Sequence, residues 1–120
     1  MSDEYVEIEI QKPEFLKTIE GIQRAVEWCR SNLFDFDDLF SINARHGQMV
    51  EISFGCCFAS SPKRQRAIEA LFTGKEVTRT TESSGDVTYK FIDTELQIAF
   101  RWHVYASNSF KERETETVIL

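Results

Sequence analysis

Leu96-Gln97-Ile98-Ala99-Phe100-Arg101-Trp102-His103-Val104-Tyr105 alternates along its length, with Leu96, Ile98, Phe100, Trp102 and Val104 on one side. A period of two with large apolar groups on one face and polar groups on the other specifies a strand packed on a core. Upstream, Val87 to Ile92 and Val77 to Thr81 have the same character, separated by Ser83-Ser84-Gly85-Asp86 and by Asp93-Thr94. Such clusters are turn formers, so the three segments predict an antiparallel meander.

Before the meander, Phe40, Ile42 and Ala44 alternate up to Arg45-His46-Gly47-Gln48, and Val50, Ile52, Phe54, Cys56 and Phe58 alternate after it. This predicts a hairpin of two antiparallel neighbours with glycine at the turn. Ser60-Ser61-Pro62 then supplies a cap and a first helical residue for a short helix through Ala67, Ile68, Leu71 and Phe72, stopped by Gly74. Further back, Phe15, Ile19, Ile22, Val26, Cys29 and Leu33 recur at spacings of four and three, an apolar helical stripe running after Pro13. Ahead of Pro13, Val6, Ile8 and Ile10 alternate with Glu7 and Glu9, which predicts a further half-buried strand over 5–11.

The order is therefore β-α-β-β-α-β-β-β. Without regular alternation of strand and helix, it implies an α+β fold in which a largely antiparallel sheet of about six strands carries two helices on one face. A ferredoxin-like core with a terminal hairpin is the alternative arrangement. Neither repeat nor linker interrupts the chain, so residues 1–110 are expected to form a single α+β domain. Residues 111–120 are expected as a C-terminal tail, solvated or pairing on a sheet edge.

A chain of 120 residues with 42% hydrophobic, 12% aromatic and 28% charged residues has the composition of a globular domain. No apolar run approaches a bilayer span, and acid at Asp3 and Glu4 replaces the basic start of an export signal, so a cytoplasmic protein is expected. Three cysteines without zinc-type spacing, Cys29, Cys56 and Cys57, fit reduced thiols. The charge is lopsided: residues 1–42 hold 10 Asp and Glu against 4 Lys and Arg, while the remainder holds 10 of each, so the whole net charge of −6 arises in the first third. Such a field repels nucleic-acid phosphates and attracts basic partners.

At 100° per residue Trp28 falls about 140° from the centre of the apolar stripe, on the same outer surface as Arg24 and Gly21. Either a loop or the C-terminal tail folds over it, with Arg24 stacked on the indole, or it is exposed and forms a docking patch with Arg24, close to the acids Asp35, Asp37 and Asp38 that interleave with Phe34 and Phe36 directly after the helix. Charges steer encounter and rings supply buried area, so these residues are the expected partner-binding set. Asp35 and Asp37 alone supply too few ligands for a hard cation, and no metal or cofactor is expected. The one basic cluster, Ser60, Ser61, Lys63, Arg64 and Arg66, opens the second helix and is an alternative anion-binding site.

No nucleophile elbow, zinc-protease motif, Walker loop, dinucleotide fingerprint or Cys-x-x-Cys pair occurs. A hydrolase would have to rely on His46 or His103. The leading expectation is a binding protein that inhibits or regulates a basic partner, such as a toxin or nuclease, in the manner of an immunity protein or a phage-encoded inhibitor. A small-ligand or nucleotide-binding domain using the basic cluster is the alternative.

Overall fold

The structure is a computed structural model that describes residues 3–34, 40–45, 48–55, 62–104 and 112–120. Among these, two helices and six strands follow one another as α1 (Asp3–Asn32), β1 (Phe40–Asn43), β2 (Val50–Phe54), α2 (Pro62–Ala70), β3 (Glu76–Thr81), β4 (Val87–Asp93), β5 (Ile98–Val104) and β6 (Glu114–Ile119). The strands form one mixed sheet in the order β1-β2-β5-β4-β3-β6, in which only the β2–β5 pair is parallel. The fold is α+β.

The topology follows from one crossover. The chain leaves β2, passes through α2 and re-enters the sheet at β3, leaving two strand positions open beside β2. The tight turns of the meander then bring β4 and β5 back to fill them. Gly85 (φ 90°) makes the first turn, where Glu82 N–H donates to the Asp86 carbonyl at 2.8 Å. At the second, Asp93 Oδ1 accepts the N–H groups of Glu95 and Leu96 at 3.0 and 2.9 Å. This turn extends over Leu96 and Gln97, two residues of the quoted alternation, so β5 starts at Ile98.

Two further expectations are corrected. Residues 5–11 are not a strand but part of α1, and Pro13 falls within that helix rather than at its start. Val6 and Ile10 stand four apart, a helical spacing as well as an alternating one, and Glu7, Glu9 and Gln11 are good helix formers. A helix satisfies its own backbone groups, whereas a strand needs a neighbour, and the sixth strand of the sheet comes from the C-terminal residues instead. β6 pairs there over Glu76↔Ile119 to Thr81↔Glu114. With the first strand gone, the ferredoxin-like alternative goes too.

Strand alternation makes one sheet face apolar, carrying Val50, Ile52, Phe54, Ile98, Phe100, Trp102, Tyr89 and Val77, and both helices contribute to the core on it through Ala25, Cys29, Leu33, Ile68 and Phe72. Phe72, in the turn after α2, lies at the centre with its ring 4.9 Å from Trp102 and 6.3 Å from Trp28, the planes within 8° in each pair. No helix among the described residues is long and apolar enough to cross a membrane.

Truncating the central ring tests this account. Phe72→Ala should lower unfolding stability by about 3–5 kcal/mol, the range for buried aromatic truncation, while Lys63→Ala on the exposed side of α2 should change it by less than about 0.5 kcal/mol. Urea denaturation of the two variants measures the difference.

Candidate functional site

Gly21 and Ala25 occupy the middle of the α1 face turned to the sheet, and an added Cβ at Gly21 would lie 2.8 Å from Val50 Cγ2. With small residues at the contact, α1 lies close enough for the larger side chains on either side of that line to reach the core. On one side are Ile22, Cys29 and Leu33, and on the other is Trp28. Phe15, assigned to the buried stripe by spacing, is 63% exposed.

Trp28 is therefore not the outward-facing residue expected. Its ring meets Phe100 at 4.6 Å and Phe54 and Phe72 at 6.3 Å. The expectation ranked only large apolar side chains and so displaced the centre of the buried face, which Gly21 and Ala25 define. Trp28 is nevertheless only half-buried, and its free side lines a groove of about 600 Å³ with Glu20, Arg24, Glu27 and Leu96.

Local bonds hold this groove in shape. Arg24 Nε donates to the Leu96 carbonyl at 2.9 Å, tying α1 to the β4–β5 turn. Asn32 Nδ2 donates to the Trp28 carbonyl at 2.9 Å at the helix end, and Arg30 donates to Glu27 Oε1 at 3.2 Å. The apolar lining comes from Trp28 and Leu96, and Glu20 and Glu27 line the groove with them. Glu20, Arg24, Glu27 and Ser31 follow one another at spacings of four, three and four, a polar stripe legible in the sequence once Trp28 is singled out. Leu96 comes from 72 residues away in sequence from Arg24 and had no such signal.

Of the expected partner-binding set, Arg24 and Trp28 are brought together, and Asp35, Asp37 and Asp38 lie outside the described residues. Of the alternative anion site, Lys63, Arg64 and Arg66 are exposed at the start of α2, and Ser60 and Ser61 lie outside the described residues. Cys56, Cys57 and His46 also lie outside them, while Cys29 is buried in the core, which pushes its thiol pKa up. Among the described residues no group of three His, Cys, Asp or Glu is placed to hold a metal ion.

His103 lies on the sheet face opposite the helices, where its Nδ1 is 2.9 Å from Thr88 Oγ1. Burial is the main cause holding its pKa below 6.5, with the Arg101 charge acting the same way and Asp86 and Glu51 opposing. With its pKa below 6.5 the imidazole is mostly neutral at pH 7.

No family model, curated protein or solved structure matches this chain. The groove and the charge pattern must carry the functional reading by themselves.

The His103 environment makes a pH prediction. Between its folded-state value and 6.5 the unfolded chain binds more protons, so this group's contribution to stability is complete above 6.5 and is lost as pH falls through the folded value. In an NMR titration the midpoint should lie below 6.5, and Arg101→Gln should raise it without restoring 6.5, since burial is the larger cause.

Proposed function

We propose that this chain is a binding protein that inhibits or regulates a basic protein partner, which it takes on the α1 groove. The observation that carries the reading is the pairing of an apolar lining, Trp28 and Leu96, with Glu20 and Glu27 in the acid-rich first third of the chain. An apolar anchor from the partner, flanked by lysine or arginine, matches both features. The acidic field steers such a partner to the surface and disfavours nucleic acid as an alternative occupant. An immunity protein of a toxin or a phage-encoded inhibitor is the kind of protein that fits this size and charge. A cytoplasmic location belongs to the same reading.

Charge reversal tests it without disturbing the core, because Glu20 and Glu27 are exposed. A partner co-purified from the native host should be basic, and Glu20→Lys with Glu27→Lys should weaken its affinity by about tenfold or more, as loss of two steering charges and their reversal imply. The melting temperature should stay near that of the wild type, and added salt should weaken the wild-type complex. Equal affinity of the double variant for the same partner would remove the groove from this role.

A further inference from the structure

The sheet face opposite the helices is polar, and at its β1–β2 end Asn43, Arg45, Gln48, Met49, Glu51 and Arg101 line a pocket of about 540 Å³. We propose that this pocket binds an oxyanion, a phosphate or carboxylate group carried on a small apolar body, between Arg45 and Arg101. The inference is independent of the α1 groove.

Two arginines and one glutamate line this pocket. Glu51 Oε1 is 3.3 Å from Arg101 Nε and also accepts from Ser53 Oγ at 3.1 Å, so its charge is already engaged. Arg45 is exposed and makes no ion pair among the described residues, which leaves the pocket net cationic in a chain of net charge −6. General acidity of the chain cannot produce that local sign.

Register adds a second argument. Lys90 on β4 is the direct cross-strand partner of Arg101 on β5, and like charges placed opposite one another on one face repel. Arg101 is held to Glu51 by an ion pair at 3.3 Å, and its side chain remains 43% exposed. A bound oxyanion screens the Lys90–Arg101 pair and offers two oxygens to a guanidinium fork. Met49, 36% exposed, provides the apolar wall against which the body of such a ligand would rest.

Phenyl phosphate, benzoate and inorganic phosphate are the probes, with benzyl alcohol as the neutral control, each titrated calorimetrically into wild type, Arg45→Gln and Arg64→Gln. Saturable binding of phenyl phosphate or benzoate is expected, absent for benzyl alcohol, weakened about tenfold or more in Arg45→Gln as loss of a charge-assisted fork implies, and unchanged in Arg64→Gln. The relative affinities of the probes distinguish a phosphate from a carboxylate ligand. Arg45→Gln alters an exposed side chain, so its melting temperature without anion should match the wild type. Absence of saturable binding for all three anions overturns the proposal. So does equal affinity in Arg45→Gln, or loss confined to Arg64→Gln, which would move the site to α2.

Discussion

Four rings in near-parallel planes, Trp28, Phe72, Trp102 and Tyr89, hold the layers of this protein together. Successive centroids are 6.3, 4.9 and 5.3 Å apart, and the planes differ by 8° at each step. One ring comes from α1, one from the turn after α2, and two from the sheet, so the stack crosses every layer. Offset stacking adds to the area these rings bury. The stack also contains a cost, since the Trp102 indole Nε1 is buried without a hydrogen-bond partner among the described residues. An unmade bond of that kind costs about 1–3 kcal/mol, less than the burial of a large aromatic returns, so the tryptophan is tolerated.

Phe72 reaches the centre of the stack from a turn, and the turn is fixed by the far end of the chain. Gly74, at φ 80°, donates its N–H to the Leu120 carbonyl at 2.9 Å, and Leu120 N–H donates to the Lys75 carbonyl at 3.1 Å. The pairing of β6 with β3 is therefore more than an edge addition. It brings Leu120 to the turn that carries the central ring, so core and C-terminal strand stabilise each other.

The meander, the hairpin and the short helix were legible in the sequence because each is bounded by local chemistry: glycine or aspartate at a turn, proline at a helix start, alternation between. What was not legible depends on contacts distant in the chain. Val6, Ile8 and Ile10 alternate over a stretch too short to separate strand from helix, and in the structure it continues α1. Trp28 was misplaced because a helix face was located from its largest residues. The contact is set by the smallest, Gly21 and Ala25, and an amphipathic plot that weights size is blind to them. Arg24 and Trp28 stand four apart on one helix and so were placed together from the sequence, whereas Leu96 enters the groove through the tertiary bond from Arg24.

The correction to Trp28 strengthens its candidacy as an anchor. Phe34 is more exposed, at 87%, yet it stands past the end of α1 and makes no ring contact among the described residues. A free side chain of that sort loses rotamer entropy when a partner orders it, which offsets part of what its burial contributes. Trp28 has that freedom removed in advance. Phe54, Phe72 and Phe100 fix one side of the indole, so the side left in the groove is already held where a partner would meet it. The close approach of α1 to the sheet, permitted by Gly21, is thus what leaves Trp28 part in the core and part in the groove, with its indole held in place.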